Sequence, residues 1–266
     1  MVMSSPRAVI IIPARYQSSR FPGKPLALIR GRSMIERVRA LALRVRGVAD
    51  VIVATDDDRI FSHVEAAGGR VLMTGECRNG SERAWQAATR LSPSPEIIIN
   101  LQGDSPLTPP WVIEALVESM VRDTTIELAT PACQLTAAQY EAMGAARATE
   151  RHGGTLVTFD RDHRALYFSR ALIPTFRTRP LTDPIPAFKH IGIYAYRSDT
   201  LRRYLDLPPT PLEEAESLEQ LRALEHGIPI RVVEVDLRGR TPWSVDTPAD
   251  LTVAEEILDR EGELPE

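Results

Sequence analysis

The chain has 266 residues and carries 32 Lys and Arg against 36 Asp and Glu, a net charge of -4. This length can bury one large α/β core, or one core with a smaller subdomain, and the acidic balance argues against a general nucleic-acid-binding protein. The apolar runs are far shorter than the ~20 residues of a membrane-spanning helix. The N-terminal residues lead directly into a strand pattern, which argues against a signal peptide.

The first predicted element is a buried β-strand that runs into a basic loop. The apolar run at residues 8–12 is too short for a buried helix and fits a central parallel strand. Arg15, Arg20 and Lys24 follow within ten residues of one another. Open α/β sheets bind ligands at the carboxyl ends of their strands, and clustered cations there can neutralise a triphosphate. The loop therefore predicts a phosphate site, and the alternative is a basic surface turn.

Strands and helices alternate through the rest of the first half. Ser33 is the expected N-cap of a helix over residues 34–45, and residues 55–58 form a turn that caps the next helix. The other predicted elements are strands at 51–54, 70–73 and 97–101 and helices at 59–67 and from 79–83 through 91. This order predicts a doubly wound, mostly parallel sheet with right-handed crossovers.

The pattern changes from residue 126 onward, where proline-rich segments separate the strands. Strands are predicted at 155–159, 165–168, 191–196 and 230–235, and helices at 212–226 and 248–260. Thr247 is the expected cap of the last helix. We interpret this change as a mixed sheet that contains an acceptor-binding or dimerising region.

Two cysteines and two aspartates allow further interpretation. Cys77 and Cys133 have neither metal-ligand nor disulfide spacing, which is typical of packed thiols in the cytoplasm. Asp104 follows the strand at 97–101, on the same sheet edge as the basic loop, and Asp246 precedes the last helix. As a pair they predict a Mg²⁺ site that neutralises phosphate charge. Taken singly, each also suits a turn or a helix start.

Eight segments in register resemble the 3-deoxy-manno-octulosonate (Kdo) cytidylyltransferases, which make CMP-Kdo. Together they span about residues 8 to 258, and any one of them alone would be a weak signal. The segments are IPARYQSSRFPGKPL, VIVATDDDRI, NGSER, INLQGDSPL, ALYFSRALIP, KHIGIYAYR, LEEAESLEQLRAL and VDTPADL.

The resemblance implies a glycosyltransferase-A-like nucleotide-binding fold, a homodimer, CTP as substrate and Mg²⁺ as cofactor. It implies that the triphosphate is held by Arg15, Ser18, Arg20 and Lys24. The cytosine and ribose would be read by Ser81, Arg83 and Gln102, and Mg²⁺ would be ligated by Asp104 and Asp246. The acceptor pocket is implied at Arg170, His190, Tyr194, Glu219 and Gln220. Arg15, Lys24, Asp104 and Asp246 would form the catalytic set.

Residue chemistry alone leaves structural alternatives for the acceptor pocket. His190 also suits a satisfied or exposed histidine, and Tyr194 suits a core tyrosine with its hydroxyl at the rim. Glu219 and Gln220 also suit an exposed helix face. On the family interpretation, the single domain 1–266 divides into a CTP-binding half (8–125), an acceptor and dimerisation region (126–235) and a return to the nucleotide site (236–266).

Departures from the usual family motifs leave the acceptor open. This chain has QGDSP where the family usually has QGDEP, NGSER for SGTDR and SVDTPADL for GVDTPEDL. Kdo or a similar 3-deoxy keto-acid sugar is the first expectation. The alternative is a phosphonate such as phosphonoformate, in a relative devoted to phosphonate antibiotic synthesis.

Two other classes of protein fit the sequence less well. A dinucleotide-dependent oxidoreductase would carry G-x-G-x-x-G in the first β-α turn, where this chain carries Arg15, Arg20 and Lys24. A catalytically silent nucleotide-binding protein is the second alternative. The presence of both Asp104 and Asp246 argues against it.

Overall fold

A ten-stranded mixed sheet forms the centre of the part of the chain that the structure describes. The computed structural model describes residues 6–148, 154–178 and 180–264. Residues 1–5, on which the expectation of no signal peptide partly rests, lie outside this range. Within the described ranges, no helix has the length and apolar character needed to cross a membrane.

The strands alternate with helices through the first half and cluster in the second. The strands are β1 (Ala8–Ala14), β2 (Leu28–Ile29), β3 (Arg32–Ser33), β4 (Asp50–Thr55), β5 (Val71–Met73), β6 (Ile97–Asn100), β7 (Leu128–Gln134), β8 (Leu156–Phe159), β9 (Ala165–Ser169), β10 (Phe188–His190), β11 (Tyr194–Arg197) and β12 (Ile230–Glu234). The helices are α1 (Met34–Ala42), α2 (Asp58–Ala66), α3 (Gly80–Ala88), α4 (Pro110–Arg122), α5 (Ala137–Ala148), α6 (Ser198–Leu205), α7 (Pro211–Glu216), α8 (Gln220–Glu225) and α9 (Pro248–Glu261), with a 3₁₀ turn at Lys24–Leu26.

The first half forms a parallel sheet in the order β5-β4-β1-β6. Ile11 of β1 lies in register with Ile52 of β4 and Asn100 of β6. All residues of β1 and β6 are buried, as a strand covered by helices on both faces requires. The register brings the carboxyl ends of β1 and β6 to one edge, so the loops that follow them are neighbours.

The second half continues the same sheet with mixed pairing. β11 runs antiparallel to β6, and β7 pairs with β10 and β11 antiparallel and with β12 parallel. β8 and β9 complete the sheet at its far edge. The α/β class and the mixed sheet are therefore confirmed. The parallel pairings lie in the first half and between β7 and β12.

Four predicted elements are clearly shorter or interrupted. The helices expected to reach residues 45 and 91 end at Ala42 and Ala88. Of the strand predicted at 191–196 only β11, from Tyr194 onward, is a strand, because the chain turns at residues 191–193, where Ile193 N–H donates to Ile191 O at 2.7 Å. The helix predicted at 212–226 is α7 followed by α8, because Ser217 adopts φ +51° and breaks it.

Candidate active site

The basic loop follows β1, and contacts between Tyr16 and Gly23 bring its two ends together; we call this pair of residues the neck of the loop. The Gly23 N–H donates to the Tyr16 carbonyl oxygen at 2.8 Å. Gly23 has φ +74°, and a Cβ there would come within 3.0 Å of the Tyr16 ring, so the position requires glycine. Ser18 Oγ accepts a main-chain N–H inside the loop at 3.4 Å. Two cations of the loop are exposed, Arg15 and Arg20.

The two candidate carboxylates lie on adjoining segments. Asp104 follows β6, and its carbonyl oxygen accepts the Val245 N–H at 2.8 Å. That bond holds Asp246 beside the loop after β6. Gly103 allows this loop to pack tightly, because a Cβ there would lie 2.7 Å from the Pro13 carbonyl oxygen. The sequence-predicted pair is therefore assembled from chain segments that are far apart in sequence.

Lys24 stands between the two carboxylates. Its Nζ donates to Asp104 Oδ2 at 2.6 Å, to Asp246 Oδ1 at 3.4 Å and to the Val245 carbonyl oxygen at 3.1 Å. The Lys24 side chain is 13% exposed, so its charge is poorly solvated and these partners matter. Arg20 forms a further ion pair with Asp246 at 3.0 Å. Two cations thus balance two carboxylates.

The donor set fits a divalent cation that binds together with phosphate. The described residues contain no cluster of three or more His, Cys, Asp or Glu side chains that could hold a metal by themselves. Asp104 and Asp246 already share one cationic partner, the Lys24 ammonium. Mg²⁺ is commonly bound by one or two carboxylates, with substrate phosphates and water as its other ligands. Asp104 and Asp246 would be those protein ligands.

A chain of hydrogen bonds runs inward from this edge of the sheet. Gln102 Nε2 donates to Asn100 Oδ1 at 3.2 Å, and Asn100 Nδ2 donates to Ser81 Oγ at 3.1 Å. Ser81 Oγ donates to Glu219 Oε2 at 3.2 Å. Burial raises the pKa of Glu219, and the Ser81 hydrogen bond opposes that rise. This series of hydrogen bonds therefore joins Gln102 and Ser81, which are predicted nucleotide residues, to Glu219, which is a predicted acceptor residue.

Three other predicted acceptor residues lie near the inner end of this hydrogen-bond series, next to Asn100 and Glu219. Tyr194 is opposite Asn100 in the β11/β6 register, and its hydroxyl donates to Gln220 Oε1 at 3.0 Å. His190 Nε2 lies 2.7 Å from Thr130 Oγ1. Burial lowers the pKa of His190 to about 3, so its imidazole is neutral near pH 7. Tyr194, Gln220 and His190 are buried and form a polar cluster next to the hydrogen-bond network of Asn100, Ser81 and Glu219.

Two predicted site arginines are bound within the protein itself. Arg83 is buried, and its guanidinium donates to Asp56 at 2.6 Å and to Thr74 Oγ1 at 2.5 Å. Arg170 is exposed, and its Nε donates to the Glu216 carbonyl oxygen at 2.7 Å, at the end of α7. In this conformation Arg83 joins α3 to the segments that follow β4 and β5, and Arg170 holds the chain at the break between α7 and α8.

The motif departures lie at this site, and two of them touch. Ser105 Oγ and Ser244 Oγ are 3.4 Å apart, so the QGDSP and SVDTPADL changes meet beside the two carboxylates. Asn79 of NGSER caps α3, with its side chain accepting the Glu82 N–H at 2.9 Å. Asn100 was not identified from the sequence, although a polar residue at the end of an all-isoleucine strand was an available signal.

Comparison with known proteins decides the family. A sequence profile described as cytidylyltransferase matches residues 9–232. The 3-deoxy-manno-octulosonate cytidylyltransferase of Maricaulis maris (strain MCS10) is 52% identical over 255 residues, which cover 96% of this chain and 98% of the relative. The chain belongs to the cytidylyltransferase family. This cytidylyltransferase is accordingly a nucleotidyltransferase, as the sequence predicted.

Further relatives agree across the whole length of this cytidylyltransferase. The 3-deoxy-manno-octulosonate cytidylyltransferase of Anaeromyxobacter sp. (strain Fw109-5) is 45% identical over 253 residues, covering 95% of this chain and 97% of the relative. A solved structure of CMP:2-keto-3-deoxy-manno-octonic acid synthetase complexed with CTP matches with a TM-score of 0.83 at 40% identity, covering 96% of this chain and 99% of that one. The fold is therefore that of this family.

Proposed function

We propose that this cytidylyltransferase transfers CMP from CTP to 3-deoxy-manno-octulosonate and releases pyrophosphate. The observation that carries the nucleotidyl transfer is the convergence of Lys24 on Asp104 and Asp246 at the carboxyl edge of the sheet. The acceptor rests on relatives named for 3-deoxy-manno-octulosonate that are 52% and 45% identical to this chain.

The basic loop would hold the triphosphate. Arg15 is exposed, and no hydrogen bond or ion pair engages its side chain among the described residues, so it can meet an incoming phosphate without breaking a contact. Arg20 and Lys24 already carry carboxylate partners and would exchange them for phosphate oxygens. In-line attack by an acceptor oxygen on the α-phosphorus needs alignment and charge neutralisation more than covalent help.

Asp104 and Asp246 would hold Mg²⁺ when Lys24 turns to the phosphates. Mg²⁺, when bound, neutralises charge on the α-phosphate and on the leaving pyrophosphate. The Val245–Asp104 main-chain hydrogen bond holds together the two backbone segments that carry these carboxylates. Preorganisation of this kind spares the protein a rearrangement as the reaction proceeds.

The hydrogen-bonded wall around Glu219 would bind the acceptor and the nucleoside side by side. Ser81 and Gln102 lie at the nucleotide end of the chain that reaches Glu219. Gln220, Tyr194 and neutral His190 add donors and acceptors of the kind that a polyhydroxylated keto acid needs. Arg170 is placed to meet a carboxylate only if it releases the Glu216 carbonyl oxygen.

Two further properties belong to this proposal. A homodimer would form through the 126–235 region, where Leu166 on the edge strand β9 is 62% exposed. Light scattering on a sizing column would measure the mass of this assembly.

We place the reaction in the cytoplasm because both cysteines are free thiols.

Pyrophosphate release by the purified protein tests the acceptor. CTP and Mg²⁺ would be supplied with 3-deoxy-manno-octulosonate, with phosphonoformate, or with no acceptor, and ATP, GTP and UTP would replace CTP in parallel. We expect release that requires both CTP and the sugar acid. Release with phosphonoformate but not with the sugar acid would make a phosphonate the acceptor, although the relatives described above give a phosphonate acceptor no support. No release with either acceptor would overturn the proposal.

A further inference from the structure

Arg59 contacts the basic loop from outside it. Arg59 lies in the first turn of α2, after β4, and its Cζ stands 3.3 Å from the centroid of the Tyr16 ring. A guanidinium over an aromatic face is held by cation–π attraction and stacking. This contact therefore joins the basic loop to a neighbouring β-α turn.

Asp57 fixes the position of the Arg59 guanidinium. Asp57 Oδ1 accepts from Arg59 Nε at 2.9 Å, and Asp57 Oδ2 accepts from Arg59 Nη2 at 2.6 Å. Asp57 also caps α2 by accepting the Arg59 N–H at 3.0 Å, and the Arg59 hydrogen bond lowers the pKa of Asp57. A bidentate pair on a helix cap leaves the guanidinium little freedom to swing away from the ring.

The Tyr16 ring in turn sits at the neck of the loop. Gly23 packs so closely on the hydroxyl end of the ring that a Cβ would come within 3.0 Å of Tyr16 Cζ, and its N–H donates to Tyr16 O at 2.8 Å. Arg15 immediately precedes the neck, Arg20 lies inside the closed segment and Lys24 immediately follows it. A shift of the ring would therefore move all three cations.

We propose that Arg59 is a positioning residue that holds the Tyr16 ring against Gly23 and so sets the shape of the triphosphate-binding loop. The proposal rests on the proposed function, since it assigns the loop to CTP. Arg59 acts through Tyr16 and makes no contact with the reacting atoms. Its removal should weaken CTP binding and leave the chemical step nearly unchanged.

Arg59→Met tests the proposal, because Asp57 keeps its main-chain cap and α2 remains folded. Arg59→Lys keeps a cation near the ring, and Arg70→Met is the matched control, since Arg70 pairs with Asp50 and has no contact with the loop. Two quantities are measured: hydrogen–deuterium exchange of peptides covering residues 15–24 without substrates, and KM for CTP against kcat.

For Arg59→Met we expect faster exchange in residues 15–24 and a KM for CTP raised about fivefold, the factor typical of one exposed cation–π contact, with kcat within about twofold. Arg59→Lys should recover part of both changes, and Arg70→Met should match the wild type. Unchanged loop exchange in Arg59→Met overturns the proposal, even if KM rises, because Arg59 would then touch phosphate directly. Equal effects in Arg70→Met also overturn it. Exchange requires no turnover, so it decides the proposal even if CTP proves not to be the substrate.

Discussion

Lys24 occupies the position between two carboxylates that a divalent cation would also favour. Its Nζ is 2.6 Å from Asp104 and 3.4 Å from Asp246. A metal that binds alone would have to displace this ammonium or bind beside its positive charge. When a triphosphate binds with the metal, its oxygens offer the ammonium new partners. Binding of metal and nucleotide should therefore be cooperative, and by linkage each should strengthen the other equally.

Lys24→Met separates the competition between the Lys24 ammonium and the metal from the contribution of that ammonium to triphosphate binding. Without nucleotide, the variant should bind Mn²⁺ several-fold more tightly than the wild type, since the competing ammonium is gone. With CTP and acceptor, its kcat/KM should fall by about 100-fold or more, because a charge on the phosphates is lost. Electron paramagnetic resonance measures the Mn²⁺ affinity, and Lys189→Met, at the chain's other lysine, is the control. Weaker Mn²⁺ binding in Lys24→Met would contradict the competition.

Asp104→Asn should lower turnover far more than it lowers stability. We expect kcat at saturating Mg²⁺ to fall by about 100-fold or more, as for loss of one group that stabilises transition-state charge. The free energy of unfolding should change by less than about 1 kcal/mol, because Asp104 is partly solvated and Lys24 keeps Asp246 and the Val245 carbonyl oxygen. Steady-state kinetics and urea unfolding measure the two quantities. Unchanged turnover would remove Asp104 from the catalytic set.

His190 gives the stability of the protein a predictable pH dependence. Burial lowers its pKa to about 3, whereas in the unfolded chain it takes up a proton near pH 6.5. Between these values the unfolded state binds more protons, so acidification through this window destabilises the fold. From pH 7 to pH 5 the wild type should lose up to about 2 kcal/mol more unfolding free energy than His190→Asn. Equal losses in urea titrations would show that the imidazole is protonated in the fold.

Individual site residues differ in how far the sequence could reveal them. The sequence shows where β1, β6 and α9 begin or end, and Lys24, Asp104 and Asp246 lie in the segments next to these ends. The structure brings the three side chains together. The Ser105–Ser244 contact could not be predicted, because it depends on how two distant segments pack. The roles of Arg83 and Arg170 toward CTP and acceptor stay predictions.

At the scale of elements, the start of α9 sets the position of a candidate metal ligand. Asp250 Oδ2 accepts the N–H groups of Asp246 at 3.0 Å and Thr247 at 2.7 Å, the second of these bonds being part of a capping box. The Thr247 hydroxyl also donates to Asp250 Oδ2, at 2.9 Å. The helix that begins here therefore holds the backbone of Asp246 as well as its own first turn.

Asp250→Ala should loosen that backbone. We expect the unfolding free energy to drop by about 1 kcal/mol, as for a lost helix cap, and the Mg²⁺ concentration for half-maximal activity to rise several-fold. Ser33→Ala is the matched control, because it removes the side-chain cap of α1 away from both carboxylates. It should lose similar stability with an unchanged Mg²⁺ requirement. A shared change in Mg²⁺ requirement would mean that general destabilisation is the cause.

Elements were predictable where local signals decide them. β1, β4, β6 and α9 lie close to their predicted bounds because an apolar run or a cap marks each one. The break at Ser217 depends on Arg170 holding the Glu216 carbonyl oxygen, a contact between distant segments. A further set of elements is not predicted from the sequence, namely the β2–β3 hairpin, the turn at Lys24–Leu26, α4, β7, α5, β10 and α6.

At the scale of the whole molecule, one sheet carries both halves of the site. β11 pairs with β6, so Tyr194, a proposed acceptor residue, lies opposite Asn100, which donates to Ser81, a proposed nucleotide residue. The sequence predicted the change from parallel to mixed pairing but could not give this register, because antiparallel partners separated by about ninety residues leave no local signal. Under the proposed function, this register would bring the two substrates side by side.

Phosphorus NMR of the complete reaction tests the central claim most directly. Purified protein would be given CTP, Mg²⁺ and 3-deoxy-manno-octulosonate, and the disappearance of the three CTP resonances followed over time. We predict that pyrophosphate and a single new phosphodiester appear in equal amounts, and only when the sugar acid is present. Phosphate without a phosphodiester, or no loss of CTP, would contradict the assignment of CMP transfer to this acceptor.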